Sequence, residues 1–213
     1  QPPGYFEGCT HAGSLGGDDS VQDNITDIVT VSGDNGINYN FSEVPAGSIS
    51  GVVFRDGPPL VTQNGEVPAN LYQLRDGILR SGDLRIAGVT LELRYTLSGE
   101  VVRGEDLLPG THPAGPVRTV TDGSGFYQFT GLPQGNYSVF EVQPNGYIDS
   151  LDTAGTTGGV AVNIGTFVSP LMIQTFAAAG VSFHNDAILQ VPLGVGQQSV
   201  QNNFSEVQVV SSI

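Results

Sequence analysis

Short apolar runs that alternate with polar residues, separated by turn-forming residues, cover most of this 213-residue chain. The stretch IAGVTLELRYT (86–96) alternates cleanly, which predicts a strand with Val89, Leu91 and Leu93 inward and Thr90, Glu92 and Arg94 outward. No long stretch has the apolar period of about 3.6 residues that a helix requires. Together with 30 Gly and 13 Pro, this pattern predicts an all-β fold of short strands joined by turns.

Two phrases of the sequence recur in the same order. NYNFSEV (38–44) returns as NNFSEV (202–207), so that Asn40 and Asn203 lie 163 residues apart (203 − 40). QPPGY (1–5) returns as QPNGY (143–147), which lies 142 residues further on (143 − 1). Landmarks kept in order, with spacings that differ by 21 residues (163 − 142), indicate one unit repeated with an insertion in its second copy.

The repeat divides the chain into a partial unit and a complete one. Residues 1–43 are predicted to be the C-terminal half of a repeat domain, and residues 44–207 a complete domain with inserted loops and extra strands. The insertion is placed at 158–179, and residues 208–213 are expected to begin a next repeat or a linker. Because half a β-domain exposes an unpaired edge and an open core, we expect polypeptide from elsewhere to complete residues 1–43.

The net charge of the chain limits the kinds of partner that it can bind. Its net charge is −14, from 21 acidic residues against seven basic ones, so a phosphate backbone or an anionic membrane surface would be repelled. No apolar run approaches the roughly 20 residues needed to span a bilayer. The single cysteine, Cys9, cannot form a disulfide within the chain. The acidic residues serve solubility and can also supply ligands for divalent cations.

Four motifs carry a family resemblance. They are Gly-Val-x-Leu-x-Leu (88–93), Thr-Asp-x-x-Gly-x-Tyr-x-Phe (121–129), Leu-x-x-Gly-x-Tyr-x-Val (132–139) and Pro-x-Gly-Tyr (144–147). Together they resemble the B-type repeat of bacterial surface adhesins, of the serine-aspartate-repeat B-like and collagen-adhesin B-type kinds. The resemblance covers most of residues 44–207 and, through the internal repeat, residues 1–43.

The resemblance implies tandem immunoglobulin-like or prealbumin-like β-sandwich repeats, the first only partial, with no catalysis. The function that it implies is that of a structural repeat segment of an extracellular bacterial cell-surface protein, an adhesin stalk or a fibre. Its partners would be neighbouring repeats or identical subunits. The alternative is a non-catalytic binding module, for carbohydrate or matrix, of a larger secreted protein. The sequence contains no recognisable set of catalytic residues that would support an enzyme.

In collagen-adhesin B-type domains, a lysine and an asparagine can join in an isopeptide bond with the help of a buried acid. Glu141 stands at the position of that acid. The chain contains no lysine, so this bond cannot form. Two further acids, Asp149 and Asp152, are spaced for a tight loop.

Serine-aspartate-repeat B-like domains bind calcium through a loop after their first strand. The resemblance places calcium ligands at Asp56, Asp76 and Asp83, with Ile78 contributing its carbonyl. Arg80 occupies a position that would normally be acidic, and a cation there opposes metal binding. The alternative is that these residues only form solvated turns.

Overall fold

The computed structural model describes residues 2–182 and 186–212. Within these ranges the protein consists mostly of β-strands in several sheets, with one short α-helix, which confirms the all-β prediction. The chain divides into two compact units that meet between Ala46 and Gly47. This division lies slightly beyond the boundary predicted at 43/44, because the second strand continues to Pro45.

The first unit is a small antiparallel sheet. Strand β1 (Tyr5–His11) pairs with β2 (Asn40–Pro45), with an irregularity between Glu7 and Thr10. The long connection between them is held by a bridge between Asp18 and Thr26. None of residues 2–46 is buried, so this unit has no core of its own.

In the second unit, one sheet is organised around strand β3 (Gly47–Arg55). Antiparallel partners of β3 are β5 (Leu84–Arg85) and β8 (Phe126–Leu132), and its parallel partners are β13 (Gln198–Ser199) and β14 (Phe204–Val207). Strand β10 (Ile148–Asp149) pairs antiparallel with β14. Gly51 allows a close approach within this sheet, since a Cβ there would lie 1.6 Å from the carbonyl oxygen of Asn202.

The second sheet of this unit is antiparallel throughout. In spatial order it contains β11 (Val160–Ala161), β12 (Ala187–Leu193), β9 (Gly135–Glu141), β6 (Thr90–Tyr95) and β7 (Arg118–Val120). Single 3₁₀ turns lie at Leu71–Gln73 and Gly104–Asp106.

A separate two-stranded parallel sheet joins β4 (Leu60–Gln63) to β15 (Val209–Ser212). Most of the segment 208–213, expected to begin a next repeat or a linker, is therefore part of the second unit. Ile213 lies outside the described residues.

The core of the second unit lies between its two larger sheets. Inward-facing side chains of both sheets form one buried apolar cluster, which includes Ile49, Val53, Tyr127, Phe129 and Phe204 from one sheet and Leu91, Leu93, Tyr137, Val139, Ile188 and Val191 from the other. The predicted inward positions Val89, Leu91 and Leu93 are all buried, so that prediction is confirmed. Alternation places every second residue of β6 in this core.

The inserted segment 158–179, for which apolar content predicts added strands, contains β11 and then an α-helix, α1 (Pro170–Ala178). Ser169 caps the helix, because its hydroxyl accepts a hydrogen bond from the Met172 N–H at 3.3 Å. Proline at the first helical position and a run of alanines near the end favour this helix. Buried Phe176 packs edge-on against Phe140, with ring centroids 5.0 Å apart.

Strand pairing repeats in the two units with the same register. Residues of β1 map onto β10 by adding 142, and residues of β2 map onto β14 by adding 163. The equivalent pairs are Phe6 opposite Val44 and Ile148 opposite Val207, then Glu7 opposite Glu43 and Asp149 opposite Glu206. The internal repeat of the sequence is therefore also a repeat of backbone pairing.

A turn before the repeated strand is also duplicated, down to its hydrogen bonds. In the first unit, Asp34 donates its N–H to the Val31 carbonyl at 3.1 Å, and its side chain accepts the Val31 N–H at 2.8 Å. Gln197 and Gly194 form the same two bonds at 3.1 and 2.8 Å. Both residues of this pair lie 163 positions after their counterparts (197 − 34 and 194 − 31).

Candidate functional site

The predicted calcium loop begins where β3 ends. Asp56 is buried, and its Oδ2 accepts hydrogen bonds from the N–H groups of Asp76 at 3.0 Å and Gly77 at 2.8 Å. Asp83 binds the loop at another point, because its two oxygens accept the N–H groups of Gly57 at 3.0 Å and Arg80 at 2.6 Å. Both carboxylates thus hold backbone in place.

The remaining two predicted ligands contact a cation that belongs to the chain itself. The guanidinium of Arg80 donates to both carboxylate oxygens of Asp76, at 2.7 and 2.6 Å, and to the Ile78 carbonyl at 3.0 Å. This hydrogen-bonded ion pair lowers the pKa of Asp76 from 3.8 to about 2.

The loop brings Asp56, Asp76, Ile78 and Asp83 into one segment, but their oxygens fit a calcium ion poorly. Calcium takes six to eight oxygens at about 2.3–2.6 Å, and here the oxygens face N–H donors of the backbone and of Arg80. Calcium in this loop stays a prediction.

A second acidic site lies elsewhere in the same unit. Asp149 and Glu206 are directly opposite each other on β10 and β14, and Asp186 precedes β12. Each of these three residues places one carboxylate oxygen within 4.8 Å of the others, a set that could hold an ion. Like charges directly opposite on neighbouring strands are destabilising, so the arrangement requires compensation.

Two further acids adjoin this triad. Glu141 ends β9, and its backbone N–H donates to the Asp186 carbonyl at 3.0 Å. Asp152 accepts the Ser205 N–H at 3.1 Å through Oδ1. Together with Asp149, Asp186 and Glu206 these residues form what we call the acid cluster.

Burial governs the protonation of the acid cluster. Loss of solvent raises the pKa of Glu206 to about 8, although the hydrogen bond that it accepts from the Gln143 amide at 2.6 Å opposes the rise. Burial, followed by the charges of neighbouring acids, also raises the pKa of Glu141 and of Asp152 well above the ordinary range.

The sequence indicates part of this site. Asp149 and Asp152 stand out in it as acidic candidates and Glu141 as a buried acid, whereas Asp186 and Glu206 do not stand out. The internal repeat held the missing signal, because Glu206 in FSEV repeats Glu43 and a carboxylate kept in a strand indicates more than a solvated surface.

Neither a protein-family model nor a curated protein matches the sequence. The fold of this chain is similar to the folds of solved pilin proteins of Gram-positive bacteria. The minor pilin GBS52 of Streptococcus agalactiae matches 80% of this chain and 48% of its own length, at 13% identity and a TM-score of 0.41. The pilus protein RrgB of Streptococcus pneumoniae matches 76% of this chain and 25% of its own length, at 18% identity and a TM-score of 0.31.

The major pilin SpaD of Corynebacterium diphtheriae matches 76% of this chain and 32% of its own length, at 13% identity and a TM-score of 0.33. The chain thus spans less than half the length of these three proteins. Within the described residues, no helix has both the length and the apolarity that crossing a membrane requires.

Proposed function

We propose that this chain is a structural repeat segment of an extracellular bacterial surface protein, a stalk or fibre, and that it has no catalytic role. One observation carries the proposal: residues 2–46 repeat the strand register and the turn of the second unit while lacking its core. A segment of a fold that recurs without its core is expected where repeats complete one another.

Residues that are buried in the core of the second unit have equivalents in the first unit that are exposed. Phe204 is 1% exposed, and its equivalent Phe41 is 51% exposed. Val191 is fully buried, and its equivalent Ile28 is 39% exposed. Burying an exposed Phe or Ile side chain is favourable by about 1.5–3 kcal/mol at most, so a surface that covers both residues would be stabilised.

The second unit indicates what such a surface would be. There β14 lies between β10 and β3, and it pairs in parallel with β3. Its equivalent β2 pairs only with β1 among the described strands. We propose that a strand equivalent to β3, from a neighbouring repeat or an identical subunit, adds in parallel to the other edge of β2.

Sedimentation velocity over a range of protein concentrations tests this proposal. We expect the 213-residue chain to associate, and Phe41→Ala and Ile28→Ala to weaken association because each removes apolar surface from the proposed contact.

Val29→Ala is the matched control. Val29 is apolar, like its neighbour Ile28, but its equivalent in the second unit, Pro192, is exposed. The control should associate like the unmodified chain. A chain that stays monomeric at all concentrations, or equal effects of the three substitutions, would contradict the proposal.

A further inference from the structure

The acid cluster has the geometry of a cation site. Two oxygens bound to one calcium ion at about 2.3–2.6 Å lie no more than about 5 Å apart, and the oxygens of Asp149, Asp186 and Glu206 lie within 4.8 Å of one another. We propose that this cluster binds one divalent cation of the calcium type, with these three carboxylates as ligands.

Two buried side chains beside the triad point to the same conclusion. Asp152 is 4% exposed, and no hydrogen-bond donor of the described residues reaches its Oδ2. Glu141 is 7% exposed, and the hydrogen-bond partner of its carboxyl is another acid, the carboxyl of Glu206. A buried carboxylate without a donor is costly, and a cation among these groups would offset that cost.

The repeat retains acids at the three ligand positions. The strand pairings match Asp149 and Glu206 with Glu7 and Glu43 of the first unit, and the sequence offset of 163 matches Asp186 with Asp23 (186 − 163). In the first unit Glu7 and Glu43 lie directly opposite each other, as Asp149 and Glu206 do in the second. Acids placed opposite each other twice, at a cost each time, indicate a role that needs them.

The ligand chemistry selects calcium among common cations. All members of the acid cluster offer hard carboxylate oxygens, and neither histidine nor cysteine joins the set among the described residues. Calcium tolerates irregular carboxylate geometry, whereas magnesium requires a nearly ideal octahedron.

Calorimetric titration of the full chain with CaCl₂, in metal-free buffer, tests the site. We expect one calcium per chain and a higher Tm in its presence, because a ligand that binds only the folded state stabilises it. Asp186→Asn and Glu206→Gln should each weaken binding by about tenfold or more, since affinity depends on the number of charged ligands.

Asp76→Asn is the matched control, because it removes one carboxylate from the calcium loop that the sequence predicted after β3. This variant should bind like the unmodified chain. If Asp76→Asn abolishes binding and Asp186→Asn does not, the calcium belongs to the loop and the proposal is wrong. Absence of binding at millimolar CaCl₂ would also overturn it.

A spectroscopic readout covers the case in which a variant fails to fold. The chain contains no Trp, and Tyr72 is close enough to Asp149 and Asp186 for their charges to raise its pKa further, after burial. Terbium bound at the acid cluster should therefore emit when tyrosine is excited. Tyr72→Phe should reduce this emission while leaving calcium affinity unchanged. Terbium emission that persists when excess calcium is added would contradict the proposal.

Discussion

One substitution made in both copies of the repeat measures how differently the two units are packed. Phe204 is buried in the core, with its ring centroid 6.1 Å from that of Tyr127. Truncating a buried phenylalanine to alanine costs about 3–5 kcal/mol, since both transfer energy and a cavity contribute. We therefore expect Phe204→Ala to reduce the free energy of unfolding by that amount.

Phe41 occupies the equivalent strand position but is half exposed. Only about half of the 1.5–3 kcal/mol for complete burial applies, and no cavity forms, so Phe41→Ala should cost about 1 kcal/mol. Strand propensity changes equally in both variants and cancels in the comparison. The predicted difference between the two variants is about 2–4 kcal/mol.

Urea unfolding followed by circular dichroism, at concentrations too low for association, gives both free energies, and an unchanged m-value shows that they are comparable. Equal costs for Phe41→Ala and Phe204→Ala in dilute solution would refute the reasoning. Such a result would mean that residues 2–46 have a core of their own.

Two further predictions concern the second unit. Gly51→Ala should destabilise by more than about 3 kcal/mol in thermal unfolding, because its Cβ would collide with the Asn202 carbonyl; Gly123→Ala, which meets nothing within 4 Å, is the control and should change little. The Asp76–Arg80 pair should persist as pH falls from neutral to about 4 and be lost as pH falls through about 2, since the folded pKa of Asp76 is lowered from 3.8. In Arg80→Gln, an NMR titration should find the Asp76 pKa returned toward 3.8, and a value that stays near 2 would contradict the assignment to Arg80.

Local pattern was sufficient to predict much of the fold. Alternation in residues 86–96 placed Leu91 and Leu93 inward correctly, because each side chain in a strand reports directly on one face of a sheet. The helix α1 was missed, since a nine-residue helix with an apolar composition has little amphipathic signal. Its Ser-Pro start was the available evidence.

Contacts between distant parts of the chain determine both candidate sites. Only part of each site could therefore be predicted from the sequence. The four predicted loop ligands do lie in one segment, but the conformation that directs the Arg80 guanidinium onto Asp76 and Ile78 depends on Asp83 and the buried Asp56. The acid cluster joins residues from distant parts of the chain. Proximity of that kind follows from strand pairing and not from spacing.

The proposed fibre role requires that polypeptide outside the second unit closes residues 2–46. Cryo-electron microscopy of the parent protein, in filaments taken from the cell surface, tests this most directly. We predict a beaded filament in which a strand equivalent to β3, from a neighbouring repeat or subunit, pairs with β2 and covers Phe41. Filaments in which Phe41 faces solvent and the edge of β2 stays open would contradict it.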